Sequence, residues 1–136
     1  MKRKKIKKVV RSIISLRNQC VDIAKTLAKI RDRYVCVRCG VSKLAGAKID
    51  GSHVKPESHY HDLSAEVTNI KAMCFTCHAW WHLNPTESGA WFREKYPERY
   101  EEIHKRALEN PIVGRVEWEI RLKILKEKLK KCYRAE

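Results

Sequence analysis

Residues 34–83 read YVCVRCGVSKLAGAKIDGSHVKPESHYHDLSAEVTNIKAMCFTCHAWWHL. Two CxxC pairs stand in this stretch, Cys36 with Cys39 and Cys74 with Cys77, and 34 residues separate Cys39 from Cys74. Each pair makes a tight knuckle whose thiolates take two corners of a tetrahedron, so two pairs complete a four-cysteine zinc site. The long separation predicts an element inserted between the knuckles. Two disulfides or a redox-active CxxC are the competing readings. The N-terminus, MKRKKIKKVVRSIISL, begins like a signal peptide, but Arg11 and Arg17 break its apolar part and no small-residue cleavage site follows. A reducing, cytoplasmic setting is therefore expected, which disfavours disulfides. Redox chemistry needs one such pair in a βαβ context, which is absent. Bound zinc also supplies folding energy that a small centre lacks.

Outside this stretch the chain is strongly basic. It has 136 residues and a formal charge of +14. Residues 1–33 hold 12 basic and 2 acidic side chains, residues 34–116 hold 11 and 10, and residues 117–136 hold 7 and 4. A nearly neutral centre thus sits between cationic arms, and a polyanion is the expected partner, nucleic acid before membrane. No apolar run of ~18 residues occurs, which excludes a transmembrane span. The domain reading is 1–33, a basic amphipathic helix for DNA contact, dimerisation or both; 34–110, the zinc-bearing centre; and 111–136, a C-terminal basic helix.

The arms read as helices. Ile6, Val9, Ile13, Leu16, Cys20, Ile23, Leu27 and Ile30 alternate spacings of three and four, and no Gly or Pro interrupts residues 1–39. Such a stripe needs a partner. The chain's own C-terminal helix and a second copy of the chain are equally admissible. After Asn110-Pro111 and Gly114, the residues Trp118, Leu122, Leu125, Leu129 and Cys132 repeat the pattern. Cys20 and Cys132 read as small core residues. The C-terminal lysines read as a solvated face. Lys2, Arg3, Lys4, Lys5, Lys7, Lys8 and Arg11 are denser, with no acid among them, and are expected to contact phosphates. In the centre, 34–55 predicts short strands and 76–83 a short helix. Ala90–Lys95 is a further segment, and a helix opening at Pro97 runs to about Glu109.

The histidines lie inside and just after the inserted segment. On a helix over 76–83, His78 and His82 share one face, a spacing that lets two imidazoles hold one metal. Cys77 and His78 diverge by about a third of a turn, so one helix can serve both a sulfur site and a second metal.

The order CxxC, His53, Asn69, CxxC-His78, His82 resembles the HNH branch of the ββα-metal nucleases over about residues 34–83. To about residue 108 the layout is also similar to phage recombination endonucleases of the NinG/Rap type, which are associated with branched DNA such as Holliday junctions. The resemblance implies a mainly α fold with a small β-hairpin, a central ββα-metal, treble-clef-like zinc unit, and long flanking helices. It implies that His53 is the general base and that Asn69 orients the His53 loop across the hairpin. His78 and His82 would hold a divalent metal, Mg²⁺ or Mn²⁺ or another transition metal. The products would carry 5′-phosphate and 3′-hydroxyl ends. One departure stands out. Many such enzymes have a metal-binding residue directly before the base, where this chain has Ser52. Asp50 is the nearest acid and a candidate ligand, or a support for the turn at Gly51. His59 and His61 read as a polar loop, with metal or phosphate contact as the alternative, and His104 as incidental on a surface helix. Trp80, Trp81 and Trp91 read as packing residues.

The chemistry is coherent without the resemblance. Phosphodiester hydrolysis needs a water made nucleophilic near pH 7, and His is the side chain that titrates there. It also needs a cation facing the phosphoryl oxygens. The expected function is a metal-dependent DNA endonuclease working as a homodimer through its helical arms, and the resemblance implies branched recombination intermediates as its substrate. The alternatives are a non-catalytic zinc-bearing nucleic-acid binder and an HNH nuclease of linear duplex for restriction or packaging. A membrane-surface role for the first helix is a further rival, weakened by that helix having no Trp or Phe.

Overall fold

The computed structural model describes residues 2–135. Its first element is a helix of 30 residues, α1 (Lys2–Arg31). Arg33 and Tyr34, with φ of 57° and 54°, turn the chain back on itself. The first CxxC pair follows on a turn, closed by a single bridge between Val35 and Ser42. Strand β1 (Ile49–His53) pairs antiparallel with β2 (Ile70–Cys74), with Ile49 opposite Cys74 and His53 opposite Ile70. Then come α2 (Phe75–Leu83), α3 (Pro85–Lys95), α4 (Pro97–Glu109) and α5 (Arg115–Arg134). Among the described residues no helix is long and apolar enough to cross a membrane.

Three expectations shift. Only one strand forms within 34–55. The short helix starts at Phe75, directly after β2. The segment expected at Ala90–Lys95 begins at Pro85. Pro85 and Pro97 both occupy the first turn of a helix, where a missing N–H costs nothing and φ is already helical. Each proline thereby ends one helix and starts the next, folding α2, α3 and α4 tightly back and forth.

Two cores result, and β2 lies between them with all five residues buried. Ala72, Met73 and Cys74 join Trp81, Phe92, Ile103 and Ala107 on the knuckle side. Ile70 joins Cys20, Ala24, Leu27 and Ala28 of α1 and Trp118, Leu122 and Leu125 of α5 on the other. The partner of the first helix is thus the chain's own last helix, but for only part of its length. Residues 2–11 are exposed throughout, and Ile6 is 62% accessible.

The outer edge of β2 is closed by side chains. Asp32 Oδ2 accepts from Ala72 N (2.9 Å), and Ile70 O accepts from Arg31 Nη2 (2.6 Å) and Arg99 Nη2 (2.7 Å). The Val37 amide donates to Ala72 O at 3.0 Å. The hairpin meets α1 at Gly51, where backbone and helix approach so closely that a Cβ would lie 2.8 Å from Lys25 Cγ and 3.1 Å from Ile70 Cγ2. Only glycine fits that gap. Gly51→Ala should therefore destabilise the fold by about 1–3 kcal/mol, as overpacking does. Denaturant unfolding with an unchanged m-value is the check, and full retention of stability would contradict this packing.

Candidate metal centre and histidine cleft

The four cysteines converge from two separate turns. Gly40, in a left-handed conformation (φ 80°), closes the turn after Cys36 and Cys39, and its amide donates to Cys36 O at 2.9 Å. Cys74 ends β2 and Cys77 lies in the first turn of α2, so the second pair straddles the strand–helix joint. All four sulfur ligand atoms lie within 4.8 Å of one another. Cys39 Sγ and Cys74 Sγ are 3.7 Å apart. Zn–S bonds of about 2.3 Å in a tetrahedron give an S···S edge of about 3.8 Å, so the donor set fits zinc. A disulfide needs about 2.05 Å, and all four thiols are free.

The sulfurs differ in their surroundings. Burial pushes the Cys36 thiol up, but hydrogen bonds from the backbone at Cys39, Cys74 and Arg38 outweigh it and bring it down to about 6. Burial pushes Cys77 up to about 12. Four clustered thiolates need a compensating cation, and a divalent metal supplies one. Arg38 adds a second positive charge, its Nη1 donating to Cys77 Sγ at 3.5 Å while its guanidinium lies 3.7 Å over the Trp80 ring.

A separate cleft of about 420 Å³ is lined by Lys25, His53, Glu57, His78, Trp81 and His82, among others. His53 ends β1, and its Nε2 is 2.7 Å from the Ser64 carbonyl oxygen. A carbonyl only accepts, so neutral His53 carries its proton on Nε2 and leaves Nδ1 as the basic nitrogen. Burial holds its pKa below the ordinary histidine value. Asn69 is wholly buried. Its Oδ1 accepts from Lys55 N (2.9 Å), and its Nδ2 donates to Lys55 O (3.1 Å) and Leu63 O (3.0 Å). It thereby ties the segment just after His53 to the one just before Ser64.

His78 and His82 stand one turn apart on α2 with their Nε2 atoms 3.0 Å apart. Two imidazoles on one metal at about 2.0–2.1 Å place their nitrogens about 2.9–3.4 Å apart. The same separation fits a hydrogen bond between the rings when one nitrogen is protonated. Burial, and then the charge of His82, lower the pKa of His78, while Asp50 opposes both. Asp50 acts on His78 by charge but is not gathered with the pair into a three-donor group. Among the described residues the four cysteines form the one group of three or more His, Cys, Asp or Glu donors gathered within 4.8 Å. Ser52 is buried and its hydroxyl is taken by Lys71.

The remaining candidates fall elsewhere. His59 and His61 are exposed and line a different recess with Arg17 and Trp118. His104 is half-buried and stacked on Tyr100, with Nδ1 buried and without a partner; it is not a bare surface residue. Lys2, Arg3, Lys4, Lys5, Lys7, Lys8 and Arg11 all lie on the exposed start of α1.

Several residues beside the cleft escaped the sequence reading. Lys71 is wholly buried on β2. Its Nζ lies 3.0 Å from Ser52 Oγ, 3.4 Å from His53 O and 3.4 Å over the Trp81 ring. Burial holds its pKa well below that of an ordinary lysine. The signal was a lone cation inside the apolar run Ile70-Lys71-Ala72-Met73. Asp62, also buried, accepts from Arg121 (2.6 Å) and Arg106 (3.0 Å) and fixes the loop that presents Ser64. Lys25 reaches the cleft from α1, which no local motif indicates. In comparisons with known proteins, no family model, no curated protein and no solved structure matches the chain.

Proposed function

We propose that this chain is a metal-dependent DNA endonuclease of the HNH, ββα-metal kind, with zinc held by Cys36, Cys39, Cys74 and Cys77 as a structural staple. The observation that carries the reading is the cleft in which His53, from the end of a strand, faces His78 and His82, from the helix after the paired strand. The two imidazoles are the donors that would hold a divalent cation. Bound there, such a cation supplies positive charge to the scissile phosphate and the departing 3′ oxygen. His53 Nδ1 takes the proton of the attacking water, because Ser64 O keeps Nε2 protonated and oriented. Asn69 keeps that carbonyl and the His53 strand in register. Branched recombination intermediates are the favoured substrate, through the layout similar to NinG/Rap-type endonucleases. The exposed apolar residues Ile6 and Val9 of α1 offer a second copy a seam, so that two sites meet a two-fold junction.

One observation favours a second reading. Among the described residues no third ligand gathers on His78 and His82, as in a zinc-bearing nucleic-acid binder without catalysis. His53→Ala separates the two. Nicking of a four-way junction in Mg²⁺ or Mn²⁺ should fall by roughly 10²–10⁴-fold, the usual share of a general base, with zinc content unchanged. Undiminished nicking removes His53 from the chemistry, and no cleavage by either protein on linear, nicked, flapped or four-way DNA favours the binder.

The pH dependence has a definite sign. Because the folded pKa of His53 is depressed, its basic form is lost only as pH falls through a value below the ordinary ~6.5. The nicking rate should therefore be flat near neutrality and drop on the acid side. A midpoint above the ordinary value in a single-turnover pH series would contradict the assignment.

Elemental analysis should find about one zinc per chain. Cys77→Ser should lose it and unfold at room temperature, since a structural zinc contributes about 10–16 kcal/mol of binding. A folded, zinc-free Cys77→Ser protein would refute the staple.

A further inference from the structure

One wall of the histidine cleft is Lys25 of α1, whose stem presses on Gly51. The same helix continues from Lys25 back to Lys2 without a break. At about 100° per residue, Arg11, Lys7, Lys4 and Arg3 fall within roughly 60° of the Lys25 direction, and Asp22, Val21, Asn18, Ile14 and Val10 share that face. Cys20, which meets Trp118 of α5, points about 140° away. The line of cations is therefore on the side that α5 leaves uncovered. Arg3, Lys4, Lys7, Arg11 and Asn18 are exposed. Among the described residues none of these cations, nor Lys25, lies within 4.0 Å of a carboxylate.

The length of this line suits a duplex. At about 1.5 Å per residue, Lys7 lies about 27 Å and Arg3 about 33 Å from Lys25. Duplex DNA advances about 3.4 Å per base pair, so the line spans about 8–10 base pairs, near one helical turn. Duplex DNA is straight on this scale, as an uninterrupted helix is. Unpaired strands and membrane interfaces call for aromatic side chains, and no aromatic residue precedes Tyr34.

We propose that α1 is a one-sided phosphate rail: Lys25 holds a phosphate beside the scissile one, and Arg11, Lys7, Lys4 and Arg3 hold phosphates of the same duplex arm up to about one turn away. The position of the cut rests on the nuclease reading of the cleft; the rail itself does not. The side chains of the rail contact backbone rather than base edges, so the binding is independent of sequence.

The test uses the full chain carrying His53→Ala, so that cleavage does not interfere, with fluorescence anisotropy on duplexes from half a turn to two turns over a salt series. Affinity should climb steeply up to about one turn and then flatten. Each lost phosphate contact lowers the slope of log K against log salt by about 0.9. Lys25→Ala should therefore cost about one unit of slope and the Lys7→Ala, Arg11→Ala pair about two. The same double removal at Lys123 and Lys131 of α5 should cost none. Equal losses from the α5 pair, no loss from the α1 pair, or tighter binding to single strands or to anionic vesicles would overturn the rail. A second arm follows nicking by the protein with His53 intact on nested duplexes. A flank of about 8–10 base pairs should be needed on one side of the cut only, and the Lys7→Ala, Arg11→Ala pair should abolish that asymmetry. No nicking anywhere, with the slope changes intact, sinks the nuclease reading and leaves the rail. Nicking with unchanged slopes and no one-sided flank requirement sinks the rail and leaves the nuclease.

Discussion

Five cross-strand pairs, from Ile49 opposite Cys74 to His53 opposite Ile70, set the geometry of both sites. Side chains alternate faces along a strand, so a slip of one residue would turn His53 away from α2 and bring Ser52 in its place. Because β2 runs into α2 without a linker, the pairing that places His53 also fixes the rotation of α2. That rotation sends Cys77 to the sulfur cluster and His78 with His82 to the cleft. Two structurally separate tasks thus depend on one short ladder. The ladder is held from outside by α1 at Gly51 and from the edge by Arg31, Asp32 and Arg99.

The interior next to this ladder is partly polar. Lys71, Asp62, Asn69, Ser52 and Ser64 are all buried. Each has partners: Asp62 two arginines, Lys71 a hydroxyl, carbonyls and an indole face, Asn69 three backbone groups. Removing one partner strands the other in a water-poor place, at about 3–5 kcal/mol for a buried charge. A wholly apolar version would pack at least as well. What the polar version adds is direction, since hydrogen bonds fix the Ser64 carbonyl, and hence the His53 ring, to one orientation.

Much of the architecture was legible because it rests on local rules. Heptad spacing revealed α1 and α5, Pro97 and Asn110 bounded α4, and the paired CxxC motifs announced a sulfur cluster. His78 and His82 were legible as a pair because four residues make about one turn. The clamp of Asp62 by Arg106 and Arg121 and the arrival of Lys25 at the cleft were not. Each joins residues far apart in the chain, and the side chains alone are those of ordinary surface positions.

The closed edge of β2 has a consequence for how copies of this chain meet. An open strand edge is a template on which another molecule can add a strand, and a two-stranded sheet ordinarily has two. Here the groups that would recruit one are already occupied: Ile70 O by two guanidinium groups, Ala72 N by Asp32 and Ala72 O by Val37. The sheet cannot grow past β2. Self-association on that flank is left to helix surfaces, whose contacts dissociate without unzipping the strand that carries Cys74.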